Sequence, residues 1–197
     1  MGTTIGVLLF DGAEELDYVG PWEVFAMAVR HEKDSRVLAI AESLEPIRSA
    51  KGLRVFPDLT IAEAPKLDVL VVPGGRGVRA ELDNAAILEF IAARHGQVRY
   101  LASVCTGAAL LVAAGPARSK RVTTHWSYAE TLAGTGACEV RADLRFVRDG
   151  DVVTAAGVSA GIDMSLWIVG QLWSPDHSRE VERQIQYEPA PPYRFEV

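Results

Sequence analysis

The chain has 197 residues, 49% hydrophobic and 23% charged, which is enough for one α/β unit with a full core and ordinary for a globular protein. Its net charge of -6, with the basic residues scattered rather than in runs, argues against nucleic acid or an anionic membrane surface as partner, and no apolar stretch reaches spanning length. The start, Met-Gly-Thr-Thr-Ile, lacks the layout of a signal peptide, and the two cysteines, Cys105 and Cys138, are too few for a disulfide framework and lie in no metal-ligand spacing, so a reducing, cytoplasmic setting without a bound metal is expected.

Thr4 to Phe10 is a short apolar run that reads as a buried strand, ended by Asp11-Gly12. Glu14-Glu15-Leu16-Asp17 then leads into Gly20-Pro21-Trp22-Glu23-Val24-Phe25, where apolar residues continue at helical spacing through Met27. Val37 to Ala41 predicts a strand, Ser49 to Phe56, broken at Lys51-Gly52, a hairpin, and Val69 to Val72 a core strand ended by Pro73-Gly74-Gly75. Asn84 to Arg94 predicts an amphipathic helix with Ile87, Leu88 and Ile91 on one face. From Tyr100 a run of β-formers stops at Cys105; the small residues Thr106-Gly107-Ala108 follow, and Ala109 to Ala114 has strong helix propensity. Beyond it come a short helix around Glu130 to Leu132 and a hairpin over Phe146 to Ala155 that turns at Asp149-Gly150. A buried helix over Ile162 to Leu172, an amphipathic one over Pro175 to Gln184 and an extended tail with Pro189, Pro191 and Pro192 complete the chain. Strands alternating with helices, without internal repeats, predict a single domain over 1–197: an open, mostly parallel sheet with helices on both faces. Sites in such sheets lie beyond the carboxyl ends of the strands, where Asp11 to Asp17, Pro73 to Gly77 and Cys105 to Gly107 would converge.

Cys105 stands at a strand-to-helix corner, so its side chain is expected to leave the sheet and face the N-terminus of the next helix, where free N–H groups favour a thiolate. A lone cysteine in an apolar stretch is otherwise a small buried hydrophobe, which remains open here. Asp17, between Leu16 and Tyr18 just before an apolar helix, is expected to be half buried; its carboxyl would then hold a proton and serve as acid and base in turn. Glu14 reads as a surface capping residue and Glu15 as a capping residue or an accessory to the site. Gly74 and Gly75 form either a plain tight turn or a loop whose N–H groups, with that of Thr106, face negative charge developing near Cys105. His125, in Val122-Thr-Thr-His-Trp126, is either bonded into its loop or partnered with Cys105; His31, His95, His177 and Cys138 carry no comparable signal.

Gly12-Ala-Glu-Glu-Leu-Asp17, Val72-Pro-Gly-Gly75, Ser103-Val-Cys-Thr-Gly107 and Thr123-Thr-His-Trp126 resemble the ThiJ/PfpI superfamily, with its class I amidotransferase-like fold. Gly20-Pro21-Trp22-Glu23-Val24-Phe25, Thr154 to Asp163 and Gln186 to Pro192 are similar to the branch of that superfamily containing isocyanide hydratase. The resemblance implies a flavodoxin-like three-layer sandwich, a nucleophile elbow at Cys105, Asp17 as its acidic partner, Thr106 as an orienting residue and Gly75 in the pocket lining. It also implies no cofactor, a small-molecule substrate and a homodimer, for which the tail and the Gly20 to Trp22 stretch are candidate interfaces. Protease-like members carry His after the cysteine where this chain has Thr106, and glyoxalase-like members carry Glu where it has Asp17. The activity implied is hydration of an isocyanide to an N-substituted formamide; a cysteine-based redox or ligand sensor, or another cysteine-dependent hydrolase or aldehyde-detoxifying enzyme, would use the same residues.

Overall fold

The computed structural model describes residues 2–188. In chain order its elements are β1 (Thr4–Leu8), α1 (Glu15–Val29), β2 (Arg36–Ala41), β3 (Ile47–Arg48), β4 (Arg54–Val55), β5 (Leu59–Thr60) and β6 (Val69–Val72). They continue with α2 (Val78–Glu81), α3 (Ala85–Arg94), β7 (Tyr100–Val104), α4 (Gly107–Ala114), β8 (Arg121–Val122), a 3-10 turn (Trp126–Tyr128) and α5 (Ala129–Gly134). The last are β9 (Glu139–Val140), β10 (Phe146–Asp149), β11 (Val152–Ala155), α6 (Ala160–Leu172) and α7 (Pro175–Gln184).

Seven strands form one sheet in the order β10-β11-β7-β6-β1-β2-β5, parallel throughout except for the antiparallel β10–β11 pair. β3 and β4 make a small antiparallel hairpin that turns within the expected Ser49 to Phe56 but whose first strand lies just before it, while β8 and β9 pair in parallel apart from the main sheet. Helices α1, α6 and α7 pack on one another over the sheet, and α2, α3 and α4 form a second group. With cover on both faces, the central strands need no polar side: Val69–Val72 and Tyr100–Val104 are buried at every position. Burial falls off toward the edges, where β5 is two residues long and β10 carries Arg148 and Asp149.

The elements absent from the sequence reading are β5, α2, β8, the 3-10 turn and β9, each of two to four residues and too short to show a period. The first helix also begins earlier than Gly20-Pro21 indicated, because a proline reads as a helix start. It instead sits inside α1, where its ring removes one backbone hydrogen bond. The helix tolerates this because its Gly20-Pro21 face is buried against α6: a β-carbon on Gly20 would lie 3.0 Å from the Ile162 side chain. Within the Gly20 to Trp22 stretch expected at a dimer interface, Gly20 and Pro21 are buried in this packing and Trp22 is half-buried. The proline-rich tail, the other expected interface, lies outside the described residues.

Candidate active site

The carboxyl ends of β1, β6, β7 and β11 deliver four loops to one place. Cys105 follows β7 directly and has φ 57, a left-handed conformation that costs a non-glycine residue energy. Both of its backbone groups are held: its N–H donates to the Ala155 carbonyl at 3.1 Å, and its carbonyl accepts from the Thr124 hydroxyl at 2.8 Å. The strained turn leaves the side chain only 6% exposed, beside the first turn of α1.

Asp17 lies in that first turn, wholly buried. The Gly74 N–H donates to its Oδ2 at 2.9 Å, whereas Oδ1 has no hydrogen-bond partner. Burial pushes the carboxyl up to about 7, against the Gly74 N–H and the Cys105 thiol, which favour its charge; the negative charge of Glu14 raises it further. Burial and the Asp17 charge push the Cys105 thiol up to about 12, against the N–H groups of Thr106 and Val158 and the Thr106 hydroxyl. Against the expected preference for a thiolate at the helix N-terminus, desolvation outweighs the N–H groups while Asp17 is ionised. Asp17 is therefore the first of the two to ionise, and its charge keeps the proton on the Cys105 sulfur.

The Thr106 hydroxyl accepts from the Gly75 N–H at 2.9 Å and lies 3.3 Å from the Gly75 carbonyl. Gly75 has φ 115, open to glycine alone without strain, and the Gly74 carbonyl accepts from the Glu14 N–H at 2.9 Å. The N–H groups of Gly74 and Gly75 are thus already engaged, one orienting Asp17 and the other Thr106, rather than free to meet a developing charge. The N–H groups that do act on the Cys105 sulfur are those of Thr106 and Val158. Val158 was missed in the sequence; its φ of 39 marks a second strained turn, after β11.

Cys105 opens into a cleft of about 300 Å³ shared with Thr106, Gly75, His125, Glu14 and Val158. His125 bonds within its own loop, its Nδ1 lying 2.8 Å from the Ser127 hydroxyl, and has no hydrogen bond to Cys105. Glu15 is not in the cleft. Its Oε1 accepts from the Lys51 N–H at 2.7 Å, and although burial raises its carboxyl, the N–H groups of Glu15, Lys51 and Leu53 together hold it below the ordinary range. Glu14, read as a capping residue, is the acid that lines the cleft, paired with the Lys51 ammonium. Cys138 is half-buried and free, and the described residues contain no group of three or more side chains suited to a metal ion.

The DJ-1/PfpI family model matches residues 3–171. The chain belongs to the DJ-1/PfpI family. Isonitrile hydratase of Pseudomonas putida is 40% identical to this DJ-1/PfpI chain over 193 residues, which span 98% of this chain and 82% of that protein. A THiJ/PfpI family protein from Pseudomonas syringae superimposes with a TM-score of 0.89 at 33% identity, over all of this chain and 80% of the other. Drosophila melanogaster DJ-1beta, at 22% identity and a TM-score of 0.85 over 95% of this chain and all of its own, shares the fold. The flavodoxin-like α/β arrangement is therefore that of the family. No helix of the described residues is long and apolar enough to cross a membrane.

Proposed function

We propose that this chain is an isocyanide hydratase-like enzyme that converts R–N≡C and water to R–NH–CHO through a thioimidate on Cys105. The observation that carries the reading is the buried Asp17 carboxyl, one oxygen fixed by Gly74 and the other unpartnered, beside the nucleophile candidate. The likeness to Pseudomonas putida isonitrile hydratase supports it. Transfer of the proton from sulfur to Asp17 gives a thiolate opposite a neutral carboxyl. The sulfur attacks the terminal carbon, forming the C–S bond, and Asp17 protonates that carbon, which yields R–N=CH–S–Cys105. The Asp17 carboxylate next takes a proton from water as the oxygen adds to the carbon, and passes that proton to nitrogen. On collapse the C–S bond breaks, the hydroxyl proton returns to Asp17, and the formamide and thiolate are released. The N–H groups of Thr106 and Val158 favour the charged sulfur. Thr106 keeps the Gly75 loop in register, and His125 lines the cleft without a proton role. The chemistry draws on these side chains and water alone, in a reducing compartment such as the cytoplasm, within one domain over 1–197 that pairs as a homodimer.

Turnover of phenyl isocyanide to the formamide, followed by mass spectrometry, tests the reading. The wild type is expected to be active, Cys105→Ala inactive, and Asp17→Asn reduced by roughly 10²-fold or more. Activity retained in Cys105→Ala would end the proposed mechanism. A folded wild type without turnover, in which peroxide selectively converts Cys105 to its sulfinate, would favour the sensor.

A further inference from the structure

We propose that the substrate carries an anionic group, a carboxylate, bound at the mouth of the cleft by Arg76 and Arg79. The proposal deepens the hydratase reading and rests on it for the identity of the reacting group. Both arginines line the same cleft as Cys105, but both are exposed whereas Cys105 is 6% exposed, so the cations stand at the mouth and the sulfur at the buried end. Arg76 directly follows Gly75, and Arg79 lies three residues on, at the second position of α2. Their segment is pinned, the Gly77 N–H donating to the Gly12 carbonyl at 3.0 Å and the Val78 N–H to the Gly75 carbonyl at 3.2 Å. Neither guanidinium has a hydrogen-bond or ion-pair partner among the described residues, while the acid of the cleft, Glu14, is paired with Lys51. On a chain of net charge -6, this leaves two uncommitted forks at the entrance to a buried site.

The buried end has the opposite character. The Asp17 carboxyl, once ionised, and the thiolate that replaces it when the proton moves place negative charge there with little water to screen it, and either repels an anion that enters deeply. An isocyano group is uncharged and linear and meets no such barrier. The gradient from two cations to a buried acid therefore suits a molecule with two ends: a carboxylate that stays on the guanidinium forks, which match it two bonds at a time, and an isocyano carbon that reaches the sulfur.

The test compares 4-isocyanobenzoate with its methyl ester, alike in shape and differing in charge. The wild type is expected to favour the acid in kcat/KM, with the acid-to-ester ratio falling about tenfold for Arg76→Gln or Arg79→Gln and about a hundredfold for both. Arg→Lys should keep part of the preference, and 0.5 M salt should erode it. Ester turnover with no acid preference, or a ratio unmoved by the double variant, would overturn the proposal and leave the hydratase reading standing. If neither compound is turned over, the hydratase reading fails, and alkylation of Cys105 by 4-(bromoacetamido)benzoate against its methyl ester, resolved from Cys138 by mass, decides on the anion. A ratio of rates that drops in the double variant sustains anion recognition, and an unchanged ratio ends it.

Discussion

Burying Asp17 costs the fold more as the pH rises. A carboxyl raised from 3.8 in the unfolded chain to about 7 in the fold binds more protons folded than unfolded between those values. Its contribution to stability is therefore full below pH 4 and lost as the pH rises through 7, a change of about 4 kcal/mol. Asp17→Asn keeps an oxygen for the Gly74 N–H and removes the titration. The variant is expected to unfold at a higher temperature than the wild type at pH 8 and to lose that advantage at pH 4, by thermal melts at both values. The same titration should set the acid limb of kcat/KM near pH 7, since the doubly protonated pair has no group left to take the thiol proton. Thr106→Val keeps the shape but strips the Gly75 N–H of its acceptor; kcat is expected to fall about tenfold with little change in KM, and Thr106→Ser to restore it, as steady-state kinetics would show.

At the level of elements, the site is a set of strand ends brought together by closely packed backbone. A β-carbon on Gly74 would lie 2.5 Å from the Thr106 nitrogen and 2.9 Å from the Cys105 β-carbon, so Gly74→Ala must move the elbow. The far-ultraviolet circular dichroism spectrum should stay native while kcat drops about 10²-fold, because displacements of an ångström cost that much in an oriented reaction. The elbow itself was legible in the sequence because an apolar strand, small residues and an apolar helix appear there in order, and Asp17 because an acid sits between Leu16 and Tyr18 ahead of a buried helix face. Val158 was not, since what it contributes is a backbone N–H, which no residue type announces. Glu14 was not, since an acid at a helix start looks the same whether it faces solvent or a cleft. The short β5, β8, β9 and α2 were hidden by their length, and the true start of α1 by Pro21, whose effect on the backbone is overruled by the packing of its helix face against α6.

Across the whole molecule, the most apolar segments are placed where they are least accessible. β6 and β7 lie in the middle of the sheet, and the order β10-β11-β7-β6-β1-β2-β5 puts its two margins elsewhere. One margin is β5, two residues long; the other is β10, where the Arg148 guanidinium donates to the Gly150 carbonyl at 2.9 Å and lies over the Tyr100 and Trp167 rings. Short strands and charged side chains are poor templates for another chain. The edge strand β10 is accordingly a guard for the fully buried β11 (Val152–Ala155) behind it. Loosening it by Arg148→Val should leave the cleft chemistry untouched yet make the protein gather into β-rich aggregates at high concentration, seen by light scattering and thioflavin fluorescence. A single arginine, far from any reaction, would then set how concentrated this protein can become before it stops being a solution.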